Sequence, residues 1–124
     1  MNSLKLMWPV LLLALASCGP STADLKEQAT DADARKRLEA IHTLQGRVDE
    51  RETVLPVLLS ALKDDNLYVR RDAAKALAHF GPEARDAVPA LLEPLRDREP
   101  SVRKAAAQSL KRIDPATAAK AGIQ

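Results

Sequence analysis

The sequence predicts an all-α protein, a stack of about three helical hairpins, and three observations support this. Residues 56–82 return 33 positions later as residues 89–115, and an internal repeat of that length is typical of stacked helical units. Apolar residues in each copy recur at helical spacing. Aromatic residues make up only 2% of the chain, so aliphatic and small side chains must form the core. The repeated residues are Pro56/Pro89, Asp64/Asp97, Val69/Val102, Arg70/Arg103, Ala73/Ala106, Ala74/Ala107 and Leu77/Leu110.

A weaker copy precedes these two and makes a third unit. The same offset places Asp31, Arg37, Ala40, Ile41 and Leu44 at the positions of Asp64, Arg70, Ala73, Ala74 and Leu77. Lys36 and Arg47 replace apolar residues of the second unit, as expected of a terminal repeat with a solvent-facing side. We expect units at about 23–47, 52–81 and 84–115, within a repeat domain over residues 23–116.

The second unit shows two amphipathic helices around a turn at Asp64, Asp65 and Asn66. Asn66 is a suitable N-cap for the second helix, and Asp33 and Glu99 hold the same position in the other units. Gly81 and Pro82 are expected to end that helix.

The third unit repeats the pattern, with Pro100 as the first residue of its second helix. Pro56 and Pro89 are expected near the start of the first helices, whereas Pro94 should kink or shorten its helix. Residues 117–124 are expected to form a C-terminal tail.

These residues resemble HEAT-like repeats, especially the short bacterial form related to phycobilisome lyases. The shared pattern is a Pro near the head of helix A, paired Leu, an Asp in the turn, Val-Arg opening helix B, then Ala-Ala and Leu. The resemblance implies a short right-handed α-solenoid whose helices B line the concave side, where partners usually bind. Armadillo and tetratricopeptide repeats are rivals, but the aromatic residues typical of the latter are missing.

An acidic and a basic residue recur at one spacing in every unit, which predicts a ladder along the turns. The ladder could be a charged binding strip or a scaffold, and the resemblance favours a scaffold that braces adjacent repeats. Such pairs fix orientation and add little stability where they are exposed. The members are Asp31/Arg37, Asp64/Arg70 and Asp97/Arg103.

Helix B of the second and third units carries polar side chains that do not follow the repeat. A solvated surface accounts for them as well as a binding surface does. The candidate partner-binding residues are Arg71, Lys75, His79, Lys104, Gln108 and Lys111.

The first residues predict an export signal. Lys5 precedes an apolar run over residues 6–16, which is shorter than the roughly 20 residues needed to span a bilayer. Residues 15–18, Leu-Ala-Ser-Cys, resemble the lipobox of bacterial lipoproteins, in which cleavage precedes a lipidated Cys. We expect a signal peptide over 1–17, lipidation at Cys18 and a tether over 18–22. An ordinary signal peptide is the alternative.

The resemblance to lipoproteins implies attachment to the bacterial cell envelope. Gly19 rather than Asp follows the Cys, which by analogy indicates the outer membrane, facing the periplasm. The chain has no other Cys, so disulfides and thiolate metal sites are not expected.

Charge and motifs argue against nucleic-acid binding and catalysis. The formal net charge is only +2, with 19 basic and 17 acidic residues, and stacking aromatics are scarce. The chain has no Gly-rich phosphate loop, no recognisable Ser-His-Asp set and no His-Glu dipeptide of the kind that binds metal in related di-iron hydroxylases. We therefore expect no cofactor, no metal and no enzymatic activity.

Two functions remain open. The first is a membrane-tethered module that binds an envelope protein or peptide through helix B. The second is a structural protein that self-associates through its C-terminal repeat, because residues 116–124 are short and Ala-rich for a polar cap. A lyase- or hydroxylase-related enzyme is a less favoured third possibility.

Overall fold

The computed structural model describes residues 19–124, and every regular element within that range is a helix. The predictions for residues 1–18, including the signal peptide and the lipidation of Cys18, lie outside the described residues. The helices are α1 (Thr22–Gln28), α2 (Ala34–Leu44), α3 (Arg51–Ala61), α4 (Leu67–Leu77), α5 (Val88–Leu92), α6 (Pro100–Ile113) and α7 (Pro115–Lys120). Short 3₁₀ segments cover Val48–Glu50, Ala78–Ala87 and Pro94–Arg96.

The helices form three hairpins. Helices α1, α3 and α5 are the helices A, and α2, α4 and α6 are the helices B. Helix α4 packs against α2 on one side and α6 on the other, so the hairpins stack in chain order. Helix α7 packs on α6, where a tail was expected. The predicted all-α solenoid is confirmed.

Small residues let the helices B approach closely. Ala40, Ala73, Ala74 and Ala106 are fully buried, and no larger side chain would fit between helices at such contacts without moving them. Branched side chains fill the layer between helices A and B. The largest of these are Leu25, Ile41, Leu44, Leu58, Leu77, Leu91, Leu110 and Ile113.

Two of the three predicted N-caps form. The Asp33 side chain accepts from the Arg35 amide, and Asn66 accepts from the amides of Tyr68 and Val69. Glu99 also occupies the N-cap position of α6, as predicted, but its side chain makes no capping hydrogen bond. Its longer side chain is a poor match for this position, which favours Asn, Asp, Ser and Thr.

Proline and glycine shape the helices A. Pro94 shortens the third one as predicted, since α5 ends at Leu92 and a 3₁₀ turn begins at Pro94. Pro89 lies in the first turn of α5, as predicted. Pro56 lies in the middle of α3 and not near its start, because α3 begins at Arg51, five residues before it. Gly81, with φ of 56°, provides the left-handed bend between α4 and the third unit.

Candidate functional site

The turns of the solenoid are joined by arginine–aspartate pairs that cross from one unit to the next. Arg37 donates from Nε to Asp64 Oδ2 at 2.8 Å and from Nη2 to Oδ1 at 2.9 Å. Arg70 binds Asp97 in the same way, at 2.9 Å and 3.2 Å. These two bidentate pairs fix the orientation of successive units.

The pairing differs from the within-unit ladder expected from the spacing. The third guanidinium nitrogen of each arginine binds backbone carbonyls of its own turn, and the carboxylate partner comes from the next unit. Arg70, for example, donates from Nη1 to the carbonyls of Asp64 and Asp65 at 2.8 Å and 3.0 Å. One side chain thereby organises its own turn and clamps the following one.

The environment of these carboxyls lowers their pKa. Burial alone would raise the pKa of Asp97, but the hydrogen bonds from Arg70 and from the Glu99 amide outweigh it. The pKa of Asp64 is lowered in the same way, with burial opposed by bonds from Arg37 and the Asn66 amide. Both aspartates are therefore ionised, hydrogen-bonded parts of the scaffold at neutral pH.

The end members of the ladder have no cross-unit partner among residues 19–124. Arg103 binds the carbonyls of Asp97 and Arg98 in its own turn, at 2.7 Å and 3.1 Å, and no carboxylate. Asp31 accepts from the Asp33 amide at 2.8 Å, and its nearest cation is Lys36 at 3.5 Å.

A shallow groove of about 480 Å³ runs between α4 and α6 on the surface formed by the helices B, which we call the helix B face. We call this groove the basic groove, because every charged residue lining it is Lys or Arg. The rest of its wall consists of two alanines, a serine, a histidine and a glutamine. Its lining residues are Lys75, Ala78, His79, Ala105, Gln108, Ser109, Lys111 and Arg112.

Four of the six candidate binding residues meet at this groove, namely Lys75, His79, Gln108 and Lys111. The other two, Arg71 and Lys104, do not line it. Arg71 instead donates to Asp72 Oδ1 at 2.7 Å and lies over the Tyr68 ring, 5.2 Å from its centroid.

Arg112 also lines the groove, although it is not among the six candidate residues. It stands 33 positions after His79, so the repeat itself could have identified it. Within residues 19–124, no carboxylate oxygen lies within 4.0 Å of the charged nitrogen atoms of Lys75, Lys111 or Arg112. The groove therefore presents cationic side chains that the described part of the chain leaves unneutralised.

A second charged cluster lies between α2 and α4. His42 Nε2 is 2.9 Å from Asp72 Oδ2, and Arg71 binds the other carboxylate oxygen. Burial raises the pKa of Asp72, but the bonds from Arg71 and His42 outweigh it and the pKa is lowered. The described residues contain no group of three His, Cys, Asp or Glu side chains placed to hold a metal ion.

A larger cavity of about 1000 Å³ lies beside the turns, near Leu59, Leu62 and Leu95. Its charged wall includes Asp64, Arg70 and Asp97, which are already paired along the ladder. Lys63, Glu93 and Arg96 also line this cavity, so its charges are of both signs. The basic groove is the better candidate site for a charged partner, because every charged residue that lines it is a cation and none is paired within the described residues.

Residues 22–111 match the family of HEAT repeats. The chain belongs to this family. No curated protein matches the chain significantly. A solved structure, the complex of CpcE and CpcF of phycocyanin lyase from Nostoc sp. PCC7120, is similar with a TM-score of 0.74 and 29% identity. The match covers 85% of this HEAT-repeat chain and 41% of that one, so the chain spans less than half the length of the neighbour.

No helix of this HEAT-repeat protein within residues 19–124 has the length and apolar character needed to cross a membrane.

Proposed function

We propose that this HEAT-repeat protein is a non-enzymatic interaction module whose basic groove binds an acidic segment of a protein or peptide of the bacterial envelope. The observation that carries the proposal is the set of Lys75, Lys111 and Arg112 around one groove with no carboxylate partner in the described chain.

The groove suits an acidic peptide for two physical reasons. Its cations are not engaged in internal ion pairs within the described chain, so binding breaks no existing salt bridge there. Its wall also contains Ala78 and Ala105, which offer apolar contact to a peptide lying between the helices. Complementary charge speeds encounter and selects partners, and its contribution weakens as salt is added.

The similar structure supports an interaction role. That structure is a complex of two proteins, CpcE and CpcF of phycocyanin lyase. We extend to the present chain only the general mode of action, which is engagement of another protein. The proposal assigns no catalytic step to this chain.

The membrane tether is a second part of the proposal and depends on the lipobox-like residues 15–18. Lipidation of Cys18 would hold the repeat domain on the envelope, with outer-membrane attachment facing the periplasm as the favoured location. Two or more acyl chains suffice for stable anchoring. Replacing Cys18→Ala is expected to abolish fatty-acid labelling and leave uncleaved precursor, measured by metabolic labelling with a palmitate analogue. Labelling that persists would overturn the tether.

The groove itself is tested by site-specific photocrosslinking in cells. A photoreactive amino acid is placed at Gln108, inside the groove, and in a matched chain at Glu27, which is exposed on α1 away from it. A discrete protein adduct from position 108 that is absent from position 27 supports the groove as the binding surface. Equal adducts from both positions, or adducts from position 27 alone, would overturn it.

A further inference from the structure

We propose that Arg103 is a carboxylate-binding site that takes Asp31 of a second copy, so that copies of this chain stack head to tail. The inference concerns the ends of the solenoid and stands independently of the basic groove.

The molecule itself shows what fits Arg103. Arg70 and Arg103 occupy the same repeat position, and each holds its Nη1 against two carbonyls of its own turn. In Arg70 the remaining edge, Nε and Nη2, receives the carboxylate of Asp97. The same edge of Arg103 has no partner within residues 19–124. Arg103 is thus already oriented for a bidentate carboxylate.

Residues around Arg103 are more exposed to solvent than the equivalent residues one unit earlier. Arg70 is 7% exposed and Ala74 fully buried, whereas Arg103 is exposed and Ala107 is half-buried. The apolar positions change in the same direction. Leu62 is 4% exposed but its equivalent Leu95 is half-buried, and Leu92 is 41% exposed where Leu59 is half-buried. Each position loses the cover that the next unit supplies within the stack.

Asp31 is the complementary group at the other end. Its Oδ1 accepts from the amide two residues on, as Asp64 and Asp97 do from Asn66 and Glu99, so its carboxylate has the geometry of a ladder member. It has no arginine from a preceding unit among the described residues. Overall charge agrees, because residues 100–124 hold five basic and one acidic side chain, and residues 18–66 hold seven basic and ten acidic.

The terminal helices also divide one helix A between them. In repeat register, α7 corresponds to residues 49–54 and α1 to residues 55–61, and together these cover the whole of α3. Stacking would place α1 of one copy directly after α7 of another and complete a fourth helix A. Residues 121–124 share register with the start of α1, so they must move aside, and Gly122 with φ of 75° already turns the chain there.

Such an interface is heterologous, because one surface of the chain meets a different surface of its copy. Heterologous contacts that do not close into a ring extend without limit. The average mass should therefore rise continuously with protein concentration.

The test uses the full chain purified in a mild non-ionic detergent, with mass measured by sedimentation equilibrium after subtraction of the detergent. Wild-type chain is expected to self-associate. Arg103→Asp alone and Asp31→Arg alone should each weaken association by about tenfold or more, because like charges then face each other across the contact. Mixing the two variants should restore association, since each supplies the partner that the other has lost.

Lys104→Glu is the matched control, because it reverses an exposed cation of the same helix that does not line the basic groove. Its repeat equivalent, Arg71, contacts only Tyr68 and Asp72 of its own helix, so this position does not face the next unit. This control should leave association unchanged. Arg103→Lys keeps the charge and removes the bidentate geometry, so it should also weaken association. It replaces Arg103→Asp as the test if circular dichroism shows that Arg103→Asp does not fold. A monomeric wild-type chain, full association of Arg103→Lys, or no recovery on mixing two folded variants would each overturn the proposal.

Discussion

The turn edge and the helix B face are two surfaces of the same three repeats, and they use charge in opposite ways. At the turn edge, which comprises residues 31–33, 64–66 and 97–99 with Arg37 and Arg70, the charged residues repeat every 33 positions and meet across units. On the helix B face the charge is not conserved between units, since one repeat position holds His42, Lys75 and Gln108 in turn. The cations of the basic groove have no acidic partner in the described chain. In this protein the repeated charges of the turn edge join the units, whereas the cations of the basic groove, which are not repeated, form no ion pair within the described chain.

Removing a ladder arginine is expected to have the largest effect on stability. Arg70→Ala leaves Asp97, whose side chain is only 12% exposed, without its partner. The free energy of unfolding should fall by about 3 kcal/mol. Arg103→Ala removes the same bonds to turn carbonyls but no ion pair, and should cost only about 1 kcal/mol. Urea unfolding followed by circular dichroism measures both values. Equal losses would show that the cross-unit pair contributes nothing.

Acid should weaken the ladder, because its paired carboxyls must then be protonated. Asp97 has a lowered pKa in the folded chain, so the unfolded chain binds more protons near pH 4, the ordinary range for Asp. The stabilisation is present above that pH and is lost as pH falls through the folded-state pKa. Asp97→Asn should therefore show a shallower loss of stability below pH 5 than the wild-type chain.

Thermal unfolding between pH 2 and pH 7 measures this slope. Asp86→Asn is the control, because Asp86 is exposed and has no ion pair within residues 19–124. A slope unchanged by Asp97→Asn would contradict the assignment.

A smaller effect is expected at the contact between α2 and α4. Asp72 holds the repeat position of Ala105, which is buried and makes no polar contact there. Asp72→Ala should cost about 1 kcal/mol, because His42 and Arg71 are left with access to water rather than buried without partners. The same urea titration checks this value. A loss as large as that of Arg70→Ala would mean that this cluster, and not the turn ladder, is the main polar brace.

Much of the fold could be predicted from the sequence because the repeat constrains several levels at once. Helical spacing, the caps at Asp33 and Asn66 and the break at Pro94 all indicate the same hairpins, and the structure has them. Repeat position correctly placed Glu99 at an N-cap, but it does not determine whether the longer Glu side chain forms the capping bond, and it does not. The helix at residues 115–120 was missed because the segment has no complete unit with which to compare it.

The site was harder to predict, because contacts between units do not follow from positions within a unit. Sequence spacing paired Arg70 with Asp64, whereas stacking brings Asp97 within reach of its Nε–Nη2 edge. The candidate residues of helix B could be selected from the sequence because they are polar or charged. Which of them line one groove depends on the packing of α4 against α6. Arg71 was also a candidate, but it binds Asp72, the next residue of its own helix, and does not line the groove.

The most direct test of the central claim is crosslinking from Gln108 in a chain that also carries Lys75→Glu and Lys111→Glu. Both lysines are exposed and unpaired in the described chain, so the free energy of unfolding should change by less than about 0.5 kcal/mol. The account predicts that the partner adduct disappears while stability is kept. An adduct of undiminished yield in the folded double variant would contradict it.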